Sequence, residues 1–324
     1  MSARGRSSGP GSSGPRVVAL GGGHGLAATL RALRRVTDDV TAVVAVSDDG
    51  GSSGRLRQEF DVVPPGDLRM ALAALCGDDT WGRTWSRVVQ HRFAGSGELA
   101  GHSLGNLLIT ALWEETGDIV TGLDWVAALL GAHGRVLPVA TVPLQVVAEV
   151  RGLHPDDATV VERVEGQVEV ATTPGEVVSL HLEPADAPAC PEAVEAITDA
   201  DAIVLGPGSW FTSVLAPLQV RGIGQAVTEA RGRVVVVLNL AEQPGETDGF
   251  SPQRHLEVLA AQCPGLRVDV VLADPERVHD IGALATAAQH LGGRLVLAPV
   301  ASRDGSAHHD ADLLASALGG ALTP

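Results

Sequence analysis

The chain has 324 residues, 45% of them hydrophobic and 19% charged, with a formal net charge of −16, a size that fits one large α/β domain or two ordinary ones. So acidic a surface repels phosphate backbones and anionic lipid at long range, which excludes nucleic acid and membrane surfaces as expected partners and obliges any anionic small ligand to find a local positive patch. Cys76, Cys190 and Cys263 are scattered without ligand-like spacing and no apolar run reaches the ~20 residues that span a bilayer, so a disulfide framework is excluded and a cytoplasmic, not membrane-embedded, protein is expected.

Residues 1–15 (MSARGRSSGPGSSGP) lack the apolar stretch of a signal peptide and predict a disordered tail ahead of a single domain over 16–324. Arg16–Leu20 reads as a buried strand, and the pattern over about Leu26–Val36 as the helix that follows it. Thr41–Val46 is the second strand, closing on Ser47, Asp48 and Asp49. From about Asp67 to Leu130 the pattern is helical. Over about 136–183, runs such as TVVERVEGQVEV and EVVSLHLE carry polar faces and predict a β-rich antiparallel insertion. Ala202–Leu205, Val234–Leu238, Val268–Leu272 and Leu295–Leu297 then resume the alternation of strand and helix. Uninterrupted Val, Ile and Leu runs separated by helices predict a doubly wound parallel α/β sheet covered on both faces. Its ligands bind beyond the carboxyl ends of the strands.

Glycine-rich loops fall at those ends. Gly21-Gly22-Gly23-His24-Gly25 lies between the first strand and its helix, where backbone can approach a ligand closely and free N–H groups favour an anion. Gly23 to Ala28 also fits the loose dinucleotide pattern G-x-G-x-x-A, with Asp48 where a ribose-binding acid belongs, so an NAD enzyme is one alternative. The next loop runs from Asp48 and Asp49 through Gly50, Gly51, Ser52, Ser53 and Gly54 to Arg55 and Arg57. Its hydroxyls, amides and arginines suit phosphate oxygens and supply the positive patch that an acidic protein needs. Asp48 and Asp49 would hydrogen-bond a ribose or base, or hold a divalent cation against a phosphate. Asp67, just before Leu68 and Arg69, reads equally as a helix N-cap and as a binding residue.

Gly206-Pro207-Gly208-Ser209-Trp210-Phe211-Thr212-Ser213 repeats the arrangement of strand, glycine, hydroxyl and helix, so both halves of the chain feed one crevice. Asn239 to Asp248 brings Gln243, Glu246, Thr247 and Asp248 after another strand, groups suited to the hydroxyls of a sugar. Gly101-His102-Ser103-Leu104-Gly105 spells the nucleophile elbow of hydrolases, but the small, polar residues 94–100 before it make no strand. A serine hydrolase at Ser103 is therefore a weaker alternative than a Ser103 that starts a helix and turns His102 and Asn106 to the crevice. His308-His309-Asp310 reads as an exposed helix start.

Together, GGGHGL, DDGGSSGRLR, PPGDLR, GHSLGNLL, LGPGSWFTS and QPGETD, in this order, resemble the gluconeogenesis factor family of YvcK-type proteins, relatives of the CofD-type phospholactate transferases of deazaflavin coenzyme synthesis. The resemblance implies a Rossmann-like CofD fold, binding of a UDP-sugar such as UDP-N-acetylglucosamine, and a role in cell-wall synthesis and cell shape during growth on gluconeogenic carbon sources. It places Gly21–Gly25, Asp48–Arg55, His102–Asn106 and Gly206–Ser213 at the ligand. Asp67, Arg69, Asn239, Gln243 and Thr247 complete the expected set. Binding alone would require no cofactor. The alternative that the resemblance carries is a CofD-like transferase moving a phospholactyl group to a deazaflavin, with Asp48 and Mg²⁺ at the diphosphate. A cell-wall-synthesis protein and a homo-oligomer are the protein partnerships compatible with this reading. His24 in place of the common Thr, Trp210-Phe211 in place of Leu-Tyr and Ala241-Glu242 in place of Met-Thr depart from the family pattern but leave the phosphate loops intact.

Overall fold

The computed structural model describes residues 14–322 except 156, 158, 244 and 245. The expected tail thus lies outside the described residues up to residue 13, while the carbonyl of Pro15 already accepts a hydrogen bond from Thr37. Ten strands follow: β1 (Val17–Gly21), β2 (Val40–Val44), β3 (Arg135–Pro138), β4 (Gln145–Arg151), β5 (Val161–Glu165), β6 (Glu176–Glu183), β7 (Ala202–Leu205), β8 (Arg233–Val237), β9 (Val270–Ala273) and β10 (Arg294–Leu297). Seven pair in parallel in the order β10-β9-β8-β7-β1-β2-β3, and β5-β4-β6 form a separate antiparallel sheet. The expected doubly wound sheet with a β-rich insertion is what the chain builds.

β1 is buried along its whole length because it lies mid-sheet, with Leu20 opposite Val43 on one side and Leu205 on the other. From β1 the chain first builds outward to β2 and β3, then returns to add β7 to β10 on the other side. The reversal point lies between β1 and β7, and a crevice at such a point is where open α/β sheets bind ligands.

The helices between β1 and β3 are α1 (Gly23–Leu33), α2 (Gly51–Phe60), α3 (Gly66–Leu75), α4 (Thr80–Gln90), α5 (Leu104–Thr116) and α6 (Ile119–Leu130). After β5 comes the short α7 (Gln167–Ala171), and after β6 comes α8 (Pro191–Asp199). A π-helix over Trp210–Leu215 runs into α9 (Ala216–Gln219) and α10 (Arg221–Glu229). The rest are α11 (Pro252–Gln262), α12 (Ile281–His290) and α13 (Ala311–Leu322).

The insertion departs from expectation in two places. Val136–Pro138 belongs to β3, which pairs in parallel with β2, so the antiparallel sheet begins only at Gln145. A short apolar run carries no alternation to say which sheet it joins. The segment QVEVA, read as strand, is α7: Gly166 at φ +106° breaks β5, and the carboxylate of Asp49 accepts from the amides of Gln167 and Val168 at the new helix's start. Val146, Ala148, Val150, Leu180 and Leu182 of the small sheet join the same apolar core as the strands of the large one.

Candidate functional site

Close approach of backbone explains the first glycine loop. A Cβ on Gly25 would overlap the carbonyl of Pro207, and one on Gly22 would stand 2.5 Å from Asp67 Oδ2 and 3.2 Å from Ser213 Oγ. A Cβ on Gly66 would likewise crowd Ser53 Oγ and Asp48 Oδ2. Asp48, Ser53, Asp67, Ser213 and Gly22 therefore converge beyond the ends of β1 and β2. Asp67 is not the N-cap of α3, a position held by Pro65. It lies in the first helical turn, 9% exposed, and accepts a hydrogen bond from the Gly23 backbone. Burial, and then the neighbouring charge of Asp48, push its carboxyl up to about 7.

Two helices open onto this point with glycine as N-cap: α1 behind Gly22, where Asp67 takes the Gly23 amide, and α2 behind Gly50, whose own amide donates to Asp48 Oδ1 at 3.1 Å. A helix leaves its first amides without intrahelical partners, and Gly23 and Gly51, both at positive φ, have open space where a side chain would stand. The amide and dipole ends of both helices are thereby presented to the crevice.

The rest of the second loop is tied into the protein. Asp49 anchors α7, as described above. Ser52 Oγ accepts from the Ser103 amide at 3.3 Å and from Asn106 Nδ2 at 3.0 Å, which leaves its proton for His102 Nδ1, 3.1 Å away. Burial, then Arg55, hold His102 below its usual range, so it is the neutral acceptor that this bond needs. Arg55 donates to the carbonyls of Ala100 and Glu98, and Arg57 to that of Leu144. Ser103 stands at the N-cap position of α5, donates to the Val89 carbonyl at 2.8 Å and accepts from Arg69 at 3.0 Å. With no strand before it, Ser103 makes no elbow. Two buried polar atoms beside this network, Arg69 Nε and Asn106 Oδ1, have no partner among the described residues.

The third loop differs from the first two. Asn239 brackets Gly208, accepting from its amide at 2.9 Å and donating to its carbonyl at 2.8 Å. Glu246 Oε1 accepts from Ser209 Oγ and from the amides of Phe211 and Thr212, while Gln243 takes the amide of Trp210 and Thr247 Oγ1 the amide of Gln243. A carboxylate of the chain itself thus occupies the N-terminus of the π-helix, where a ligand's phosphate was expected. Sequence reasoning grouped Glu246 with sugar-binding side chains and did not see this role. Trp210 and Phe211 are core residues, 0% and 1% exposed.

Between the first and third loops opens a cavity of about 290 Å³, lined among others by His24, Arg31, Asn239, His308 and His309. A neighbouring cavity of about 420 Å³ shares Asn239 to Glu242 with it and reaches Phe250 and His255. Burial pushes His309 down to about 4, and its Nε2 lies 3.2 Å from the Leu238 carbonyl, so it is a neutral donor there. His308 and His309 were expected at an exposed helix start. Asp310 does cap α13, accepting from the amides of Asp312 and Leu313, but His309 turns inward to the end of β8. Arg31 was also missed, although His24, Ala28 and Arg31 fall at helical spacing on one face of α1.

A family model described as 2-phospho-L-lactate transferase CofD matches residues 17–292. A protein of Mycobacterium tuberculosis bearing the gluconeogenesis factor family name is 52% identical over 307 residues, covering 94% of this chain and 89% of that one. The gluconeogenesis factor of Halalkalibacterium halodurans is 39% identical over 264 residues, 82% of this chain and 79% of its own. The crystal structure of a member of the UPF0052 family from Bacillus halodurans superimposes with a TM-score of 0.84 at 33% identity, covering 95% of this chain and 99% of that one.

Proposed function

The chain belongs to the CofD family and, within it, to the gluconeogenesis factors, and from that premise we propose that it binds a UDP-sugar of the UDP-N-acetylglucosamine kind as a regulatory ligand, acting on cell-wall synthesis and cell shape during gluconeogenic growth in the cytoplasm. The observation that carries this reading is the pair of glycine-capped N-termini of α1 and α2, side by side beyond β1 and β2. A diphosphate placed there meets the first-turn amides of both helices other than that of Gly23, which Asp67 takes. The cleft of His24, Arg31 and His308 extends from Gly25 and would take the remainder of a nucleotide-sized molecule. Calorimetric titration tests it. Saturable heat with UDP-N-acetylglucosamine, absent with NAD, is expected, with the sugar nucleotide recovered unchanged by mass spectrometry. No heat with any UDP-sugar would overturn the reading.

A CofD-like transferase is the second reading, favoured by one observation: Asp48 lies beside Asp67, whose carboxyl burial, and then Asp48, raise to about 7. Two carboxylates that repel one another across a phosphate site suit Mg²⁺, which takes oxygen ligands and would draw charge from a diphosphate as it breaks. Asp48 and Asp67 would hold it. Against this reading, a deazaflavin calls for an aromatic face, and both aromatic residues of the third loop are packed in the core. Phospholactyl product formed from deazaflavin, activated phospholactate nucleotide and Mg²⁺, and lost in Asp48→Asn, would make this the answer.

A further inference from the structure

Beyond the ends of β8 and β9, beside the cleft of His24 and Arg31, lies the cavity of about 420 Å³ that reaches Phe250 and His255. It is lined by the segment after β8, the stretch after β9 and the start of α11. His255 stands on its wall, 5% exposed. The Nδ1 of His255 lies 2.9 Å from the Ser251 carbonyl, which can only accept, so Nδ1 carries the ring hydrogen and Nε2 a lone pair. Burial holds the ring below its usual range, which keeps it neutral. Nε2 is itself buried and has no partner among the described residues. The rings of Trp210 and Phe250 stand nearly perpendicular to that of His255, at 4.9 and 5.4 Å, and hold its orientation.

A buried acceptor left unpaired is costly, and native structures rarely carry one without a reason. Among the described residues no group of three or more His, Cys, Asp or Glu is placed to hold a metal ion, so the lone pair calls for a donor hydrogen. The charges of the cavity narrow what brings it. Glu242, Glu276 and Asp280 line it in exposed positions, against the single guanidinium of Arg277. Such a rim repels a phosphate, which the amide ends of α1 and α2 favour instead. What enters is an uncharged part of the ligand, with half-buried Phe250 as its apolar wall and one fixed polar atom to orient it. The cavity shares Asn239 to Glu242 with the cleft at Gly25, so the two adjoin. Resting on the reading that the ligand is a UDP-sugar, we propose that this cavity recognises one uncharged end of it, and that His255 Nε2 accepts the hydrogen which that end donates. The imide N–H of uracil and the acetamido N–H of the sugar are the two sources of such a hydrogen.

Two measurements on the full chain test it. In protein labelled with nitrogen-15 histidine, the Nε2 resonance of His255, identified by its loss in His255→Phe, should shift on saturation with UDP-N-acetylglucosamine. By calorimetry, His255→Phe keeps a ring against Trp210 but removes the acceptor, and should weaken that ligand at least about tenfold. His255→Gln offers an amide oxygen and should recover part of the loss. Gln253→Trp narrows the cavity from its wall, leaves His255 in place, and should also weaken binding, which keeps the test intact if His255→Phe does not fold. UDP alone identifies the end: the same loss with UDP assigns uracil, and full UDP affinity assigns the sugar. An unmoved His255 resonance, with UDP-N-acetylglucosamine bound equally by wild type and the cavity variants, would overturn the proposal and leave the UDP-sugar reading standing. If no UDP-sugar binds, that reading falls, and uridine and N-acetylglucosamine titrated separately decide this one. A His255 resonance that moves with either keeps the subsite, and one that moves with neither removes it.

Discussion

The helix N-termini that follow β7 and those that follow β1 and β2 share one sequence texture and have opposite roles. Behind Gly206-Pro207-Gly208-Ser209, the π-helix amides are closed from within by Glu246 and Gln243. Behind Gly22 and Gly50, the glycine N-caps supply no side-chain cap, and Asp67 takes the Gly23 amide while the amides that follow it have no side-chain acceptor among the described residues. Glycine and hydroxyl residues let a backbone present amides, but a loop's composition does not say whether a carboxylate from elsewhere in the chain has already taken them. The third loop is a fixed wall, braced by Asn239, Gln243 and Glu246, against which the first loop packs at Gly25 and Pro207.

The sharpest way to break this contrast is to remove the internal acceptor, Glu246, whose carboxyl burial pushes above its usual range. Glu246→Ala would leave the buried amide of Phe211 without an acceptor and Ser209 Oγ and the Thr212 amide with only each other and Thr212 Oγ1. A loss of about 1–3 kcal/mol in urea unfolding is expected, because the penalty falls on the group left unsatisfied. Glu246→Gln keeps one acceptor oxygen in place and should lose less. If Glu246→Ala unfolded like the wild type, the third loop would be as open as the first two.

The open side responds to pH instead. Asp67 has a folded pKa of about 7, raised from 3.8 by burial and by Asp48. The folded state therefore binds the proton more tightly than the unfolded chain does. This group's favourable contribution is complete below about pH 4 and is lost as pH rises through 7. Asp67→Asn keeps an oxygen for the Gly23 amide and removes the titration. It should be more stable than wild type at pH 8 by about 2–4 kcal/mol and show a flatter stability profile between pH 4 and 7. Parallel profiles would mean that Asp67 is not confined with Asp48 as described.

What the sequence makes legible here is whatever acts locally. The runs of Val, Ile and Leu mark the parallel strands, and the glycines before α1 and α2 mark the open helix ends. Three features were hidden because they depend on partners distant in sequence. RVLP joins the large sheet through its parallel pairing with β2, from Thr41 opposite Arg135 to Val44 opposite Pro138. QVEVA is a helix because Asp49, 118 positions away, caps it. Glu246 belongs to the third loop through contacts across 34 to 37 positions. The cleft is a fourth case, since His24 and Arg31 meet His308 from the far end of the chain.

That cleft provides the next test. If the UDP-sugar extends from the α1 N-terminus past Gly25, Arg31 is the permanent cation within its reach. Arg31→Ala should then weaken binding by about 1.5–3 kcal/mol, the range of a charge-assisted hydrogen bond, or roughly ten- to hundredfold. Unchanged calorimetric affinity would move the ligand toward Asp48 and Asp67 and away from the cleft.

Arg55 should matter least, against the expectation from its loop. As a phosphate ligand it would contribute as much as Arg31. In the fold its exposed guanidinium donates to the Ala100 carbonyl at 2.8 Å and the Glu98 carbonyl at 3.4 Å, fastening the segment before His102 to α2. The open amides of α2 are made by Gly50 and Gly51, upstream of Arg55, and need no cation to be open. Arg55→Ala should therefore change UDP-sugar affinity by less than about twofold, or ~0.4 kcal/mol, with the salt dependence of binding unaltered. Its effect should appear in amide exchange, as faster exchange over residues 98–102. A tenfold loss of affinity together with a shallower salt dependence would make Arg55 a phosphate ligand after all. The positive patch would then lie in the second loop, and the N-terminus of α2 would depend on a side chain as the third loop depends on Glu246.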